Sequence, residues 1–320
     1  MKMIQISSTY LNSLTQILYL FTLNKNMIYF FMLNNGQMKN FKKDGYIVIP
    51  NFLNSNETEA LQDSIKVQRE KKLVNETHIS IDDQNIVNLL CNKKLKEILS
   101  LLIGPKVYFL HDVSLLDGPI YHTISWHRDN PCRRTGVGPD WDNKEEYNVV
   151  SVAVYLCDSK ETQSSLSVIP KSHKLNYSSK LSNILRVIHN RTRDFKFLKP
   201  IRKIIQIVVA KEIYYKPGDL VIFLCSLYHS GSITNSSVQK VNRQGVICRY
   251  GGVGNHYKNF MNYELNYRYG NEKFLFSKNK EEYFERLKKN DIYISPDIEK
   301  REIKGIFVPK DSSSDRLIKK

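Results

Sequence analysis

Ser125-Trp126-His127-Arg128-Asp129 lies in the middle of a chain of 320 residues, and its reading governs how the rest is understood. In a strand, residues i and i+2 point to the same face. His127 and Asp129 then aim at one point, while Trp126 and Arg128 aim away. An imidazole and a carboxylate at that spacing supply two of the three protein ligands of a facial triad for non-heme Fe(II). Alone, His-x-Asp arises often by chance, so the flanking sequence has to supply the rest.

Working outward, the texture from Lys106 onward is that of strands. Lys106–Leu116, Tyr121–Arg128, Tyr147–Cys157, Leu166–Ile169, Asp219–Cys225 and Arg243–Tyr250 are short and rich in Val, Ile and Tyr, with Gly, Pro, Asn and Asp between them. Upstream, Phe41–Pro50 reads as a turn followed by a short strand. Asn54-Ser55-Asn56-Glu57 has the form of a capping box, with Ala60, Leu61 and Ile65 following at helical spacing. A second helical stretch runs from Asp83 to Leu102 and is stopped by Gly104-Pro105. Helices followed by many short strands predict a β sandwich or barrel with helices packed outside.

The third ligand has to come from elsewhere in the barrel. Asp219–Cys225 is a buried-type strand that follows the turn Lys216-Pro217-Gly218, and His229 stands four residues past its end. Arg243, fourteen residues beyond His229, opens the next strand. Two histidines and a carboxylate leave three coordination positions open. A 2-oxo acid can chelate through two of them and O₂ can take the third. The distal carboxylate of 2-oxoglutarate needs a cation, and arginine offers a planar, bidentate and permanent one. His127, Asp129, His229 and Arg243 occur in the order this chemistry requires.

With these residues in place, the sequence resembles the phytanoyl-CoA dioxygenase family of Fe(II)/2-oxoglutarate oxygenases. Phe41-Lys42-Lys43-Asp44-Gly45-Tyr46 looks like the family's opening, and Trp126-His127-Arg128-Asp129 like its Trp-His-x-Asp. Ile169-Pro170-Lys171-Ser172-His173-Lys174 resembles its Pro-Gly-Ser-His segment, and Gly218-Asp219 with His229 its second-histidine strand. The resemblance implies a mainly β fold, a double-stranded β-helix of jelly-roll or cupin type. It implies His127, Asp129 and His229 as iron ligands and Arg243 as the 2-oxoglutarate residue. It also implies hydroxylation of an unactivated C–H bond in a small or medium-sized substrate, with 2-oxoglutarate and O₂ consumed. Desaturation, epimerisation and ring closure share the same triad. Halogenation is disfavoured, because related halogenases have a small residue where Asp129 stands.

The sequence departs from the family in several places. The interval from His229 to Arg243 is a few residues longer than usual, and Arg249 is the fallback because it shares a strand face with Arg243. Lys171 replaces the usual Gly after Pro170, and a Gly usual before the preceding strand is absent from Gln163-Ser164-Ser165-Leu166. His111, His122 and His173 read as structural or surface residues, His173 as part of a turn at the site rim. The loop Asn130–Glu146 carries Arg133, Arg134 and Trp141 as candidate substrate residues, with the arginines suited to an anionic group.

Hydrophobic residues make up 41% and charged residues 25% of the chain, which excludes a disordered, collagen-like or multispan membrane protein. No apolar run is long enough for a transmembrane helix. Five scattered cysteines form no CxxC pair, so a disulfide framework or zinc ribbon is not expected and a reducing, cytoplasmic setting is. The net charge of +16 is compatible with a nucleic-acid partner, but no aromatic-basic stacking motif accompanies it and none is expected. Residues 1–37 read as a poorly ordered or dispensable extension, with Met38 an alternative start. Residues 38–255 read as the dioxygenase domain and 256–320 as a helical or irregular extension with one helix at Lys280–Asn290. An insert, Lys180–Lys216, holds ten Lys/Arg and two Asp/Glu, half of the excess charge. It reads as either a lid or a solvated decoration.

Overall fold

The computed structural model describes residues 33–70, 83–118, 126–129, 146–174, 177, 180–192, 195–233, 242–263 and 280–294. The chain enters through helix α1 (Asn35–Asp44), closed at its start by a reciprocal capping box between Asn34 and Gln37. Phe41–Asp44, expected as a turn, is the last turn of this helix. It ends at Gly45, whose φ of 84° is left-handed. A Cβ there would lie 2.5 Å from the His173 ring, so glycine answers both a backbone and a packing demand. Met38 falls inside α1, and a start at that residue would delete the capping box.

Strand β1 (Tyr46–Ile49) leads to α2 (Ser55–Glu70), which has the anticipated Asn54–Glu57 capping box. The helical stretch expected over Asp83–Leu102 is two helices, α3 (Gln84–Leu90) and α4 (Lys93–Ile103). Asn92 divides them, because its side chain accepts from the Leu95 amide and caps a new helix. Strands β2 (Val107–Gly118), β3 (Val149–Tyr155) and β4 (Ser164–Val168) follow. The insert forms α5 (Lys180–Arg191) and α6 (Lys199–Val209), and then come β5 (Lys211–Ile213), β6 (Leu220–Leu224), β7 (His229–Ile233) and β8 (Arg243–Gly251). Two further helices, α7 (Asn255–Tyr263) and α8 (Lys280–Lys289), precede β9 (Ile292–Ile294).

The strands form two sheets, ordered β1-β6-β3-β8-β2-β9 and β5-β4-β7. Among the described residues every strand pairing is antiparallel except that of β9, which runs parallel to Val107–Phe109. This is the jelly-roll core with helices outside. All residues of β3 and β6 are buried, as expected of strands covered on both faces. One face meets the smaller sheet: Tyr155 stacks on Tyr215 at 3.5 Å, and Phe223 lies 4.7 Å from the His229 ring. Helix α2 is tied to the larger sheet by the two-pronged pair of Arg69 with buried Asp117. Among the described residues no helix is long and apolar enough to cross a membrane.

Candidate metal and co-substrate site

The ligand-type residues meet because two short segments pair at the open corner between β6 and β7. His127 and His229 exchange both backbone hydrogen bonds, at 3.1 and 3.0 Å, so they stand directly opposite each other. Directly opposed residues share a face. The Asp129 amide donates to the Cys225 carbonyl at 2.8 Å, which fixes the next same-face residue beside the pair. Asp129 Oδ1 lies 3.7 Å from His127 Nε2, and Asp129 Oδ2 lies 3.6 Å from His229 Nε2. Potential ligand atoms of all three residues fall within 4.8 Å of one another. Asp129 and His229 are buried and His127 is half-buried.

The surroundings orient these side chains. His229 Nδ1 donates to the Leu227 carbonyl at 3.1 Å, which leaves the Nε2 lone pair facing the cluster. Arg249 Nη2 donates to Asp129 Oδ2 at 2.9 Å with both side chains buried. A buried carboxylate is costly unless paired, and Arg249 supplies the pairing while Asp129 Oδ1 still faces His127. Trp126 and Arg128 point away, as strand alternation requires. Arg128 Nη2 donates to the Ser172 carbonyl at 2.7 Å, and its guanidinium lies 4.0 Å from the Tyr228 ring centroid. Ser172 Oγ in turn accepts from the Tyr228 amide at 2.9 Å. The Ile169–Lys174 segment therefore braces both ligand-bearing segments.

The two departures from glycine in this region fall on left-handed backbone. Lys171 has a φ of 68° and Gln163 a φ of 49°. At such positions glycine is free of the Cβ clash, which is the physical reason for its usual presence. His173 is packed under Gly45, and its Nε2 donates to the Lys42 carbonyl at 3.3 Å. Burial holds its pKa down at about 4.

Arg243 and Arg249 share a face of β8, facing the smaller sheet together with Ser151 and Phe223. Arg249 is at the metal end and Arg243 at the other. Around Arg243 stand Tyr155, Tyr215 and Cys157, whose ionisation its charge influences. Burial raises both phenols, Tyr215 to about 12, so they remain neutral hydroxyls. Tyr215 Oη is 3.0 Å from Ser164 Oγ, which is 2.8 Å from Thr162 Oγ1. Arg243 Nε is buried and has no hydrogen-bond partner among the described residues. A guanidinium with an unused buried N–H beside neutral hydroxyls is a donor set that fits a carboxylate.

Of the residues singled out in the sequence, the structure brings His127, Asp129 and His229 together and separates Arg249 from Arg243. Arg133, Arg134, Trp141 and His122 lie outside the described residues. Three features went unseen in the sequence. They are the role of Arg249 as partner of Asp129, the Tyr155–Tyr215 pair, and Asn190 of α5. The Asn190 side chain accepts from the Trp126 amide at 2.9 Å and donates to the Trp126 carbonyl at 3.0 Å. Only the even spacing of residues 243 and 249, which puts both on one strand face, hinted at the first, and no local signal marks the other two.

None of the curated proteins compared shows a significant match to this sequence. Among solved structures, HygX from Streptomyces hygroscopicus with nickel and 2-oxoglutarate bound is similar, with a TM-score of 0.53 at 17% identity over 69% of this chain and 88% of that one. EctD from S. alaskensis in its apoform gives a TM-score of 0.50 at 18% identity over 69% and 77%. At such identities the likeness concerns the fold. The sequence profile described as Phytanoyl-CoA dioxygenase (PhyH) matches residues 41–243, which span β1 to the first residue of β8 and include all three ligand-type residues. With that match over more than half of its length, the chain belongs to the phytanoyl-CoA dioxygenase family.

Proposed function

We propose that this protein is an Fe(II)- and 2-oxoglutarate-dependent oxygenase that hydroxylates an unactivated C–H bond of a small or medium-sized molecule. The observation that carries the reading is the convergence of His127, Asp129 and His229 within 4.8 Å on one face. Two imidazoles and a carboxylate are the donor set for non-heme Fe(II) with open positions. When bound, the iron supplies a centre where 2-oxoglutarate and O₂ react to give succinate and CO₂ and to oxidise the substrate. The chain's own residues hold and orient the parts. His229, fixed through Leu227, presents Nε2. Asp129, held by Arg249, presents Oδ1. Arg243 clamps the distal carboxylate of 2-oxoglutarate, with Tyr155 and Tyr215 beside it. Asp129 fills the position that a halogenase leaves for halide, which favours oxygen transfer over halogenation. HygX, a structural neighbour with 2-oxoglutarate bound, shows the fold accommodating this co-substrate.

The test is succinate release from 2-oxoglutarate by the Fe(II)-loaded protein over pooled metabolites, followed by ¹⁸O₂ labelling of any product. Iron-dependent succinate with one labelled oxygen in the product is expected. Loss of two hydrogens without label would reassign the reaction to desaturation or ring closure. No 2-oxoglutarate turnover under any condition would contradict the oxygenase reading.

A further inference from the structure

The insert between β4 and β5 has two unlike sides. Its inner side packs on the barrel. Asn190 latches Trp126, Arg186 lies 4.1 Å from the Tyr228 ring centroid, and Gln206 Nε2 donates to Ser167 Oγ of β4 at 2.8 Å. His189, Ser182 and Ile205 are buried beneath the two helices. The insert is therefore docked on both ligand-bearing segments.

The outer side is apolar. On α5, Leu181, Ile184 and Ile188 are 64%, 57% and 39% exposed. On α6, Ile204, Ile207 and Val208 are 62%, 69% and 62% exposed. At about 100° per residue, each set falls on a single face of its helix. Phe197, in the connection between the helices, is 76% exposed. Apolar side chains scattered singly over a surface need no explanation, but a run of them over two touching helices marks an interaction surface.

Charge selects the occupant. The segment Lys180–Lys216 carries ten Lys/Arg against two Asp/Glu. Lys180 and Arg191 are exposed at the two ends of the apolar face of α5, and exposed Lys203 flanks that of α6. A second copy of this chain would set these cations against their own counterparts, whereas an anionic bilayer satisfies both the apolar stripe and its basic rim. The helices have 12 and 11 residues, too few to span a membrane and suited to lying on one. We propose that α5 and α6 form a membrane-surface binding face. The exposed Leu, Ile and Phe side chains enter the acyl boundary, and the Lys and Arg side chains meet anionic headgroups. This proposal does not depend on the oxygenase reading and holds for metal-free protein.

The test is co-sedimentation of the full chain with vesicles of phosphatidylcholine, with or without phosphatidylserine. Binding to the mixed vesicles is expected, with little to phosphatidylcholine alone and weakening at high salt. The double variants Ile204→Ser/Ile207→Ser and Lys180→Glu/Lys203→Glu should each bind at least about tenfold more weakly. Their unfolding midpoints should match the parent, because all four positions are exposed. Absence of binding to mixed vesicles, or unchanged binding by both variants, would overturn the proposal. A concentration-dependent dimer that Ile204→Ser/Ile207→Ser abolishes would assign the face to a second copy instead. Vesicle binding that appears only after removal of residues 1–32 would show that the chain covers the face itself, which also overturns the proposal.

Discussion

Asp129 and His127 contribute to the same cluster but stand in different electrostatic settings, and their removal should have different consequences. Asp129 pairs with buried Arg249, so Asp129→Ala leaves a buried guanidinium without its main counter-charge. Breaking such a pair typically costs about 3–5 kcal/mol. His127 is half-buried, and His127→Ala should cost no more than about 1–2 kcal/mol. Denaturant unfolding of metal-free protein separates the two cases. Equal losses would mean that Arg249 finds another partner and that Asp129 is not electrostatically central. Arg243 is tested differently. If it clamps 2-oxoglutarate, Arg243→Ala forfeits charge-assisted hydrogen bonds worth about 1.5–3 kcal/mol each. The KM for 2-oxoglutarate should then rise roughly ten- to a hundredfold for one bond, with Fe(II) affinity unchanged. Arg243→Lys should recover only part, since an ammonium lacks the planar fork. A KM change on Arg249→Ala but none on Arg243→Ala would move the clamp to Arg249.

His173 adds a pH dependence at the same scale. Burial lowers its folded-state pKa to about 4 from an ordinary 6.5. The folded state thus binds the proton less readily than the unfolded chain. The neutral ring's contribution is fully present above pH 6.5 and is lost as pH falls from there toward 4, by as much as roughly 3 kcal/mol. His173→Gln should flatten the stability profile across that window. An unchanged profile would show that other groups govern the acid limb.

At the scale of elements, the insert is coupled to the site through α5. Asn190→Leu removes both side-chain bonds to Trp126 and leaves a backbone N–H and C=O without those partners, at a cost of about 1–3 kcal/mol. Fe(II) affinity should fall with it, because Trp126 adjoins His127. A full loss of stability with unaltered metal affinity would show that α5 supports the fold alone. The elements also show what sequence can and cannot convey. The strands around the site were legible because β-branched runs between turn residues are local signals, and β3, β6 and β8 all lie where those signals placed them. The Asn54 capping box was legible for the same reason. The interruption at Asn92 was not, because no Gly or Pro marks it; it shows only in the Asn92 cap and in the shift of the apolar face between Ile86 and Leu90 on one side and Leu95, Ile98 and Leu99 on the other. Helix α7 spans only 9 residues, too few for a helical period to stand out, and β9 acquires its identity by pairing with the edge of β2, a partner about 185 residues away in the chain. Side-chain parity put Arg243 and Arg249 on one face, but which of them meets Asp129 depends on how the two sheets overlie each other, and no local pattern encodes that.

At the scale of the whole molecule, the larger sheet supplies both arginines and Tyr155, while the smaller sheet and the segment bridged to it supply the ligand-type residues. Asp129 with Arg249 then stands toward one end of β8 and Arg243 at the other, on one face of the larger sheet, which is the arrangement the proposed binding of a 2-oxo dicarboxylic acid would use. The helices cover the outer face of the larger sheet, and the basic insert lies beside the open corner where the triad sits. The measurement that tests this account most directly is an anaerobic titration of the metal-free protein with Fe(II) and then 2-oxoglutarate, followed by visible absorption. The account predicts a metal-to-ligand charge-transfer band that needs both components, saturates at one iron per chain, vanishes in His229→Ala, and requires far more 2-oxoglutarate in Arg243→Ala. The absence of any 2-oxoglutarate-dependent band in the intact protein, or a band of full strength in His229→Ala, would contradict it.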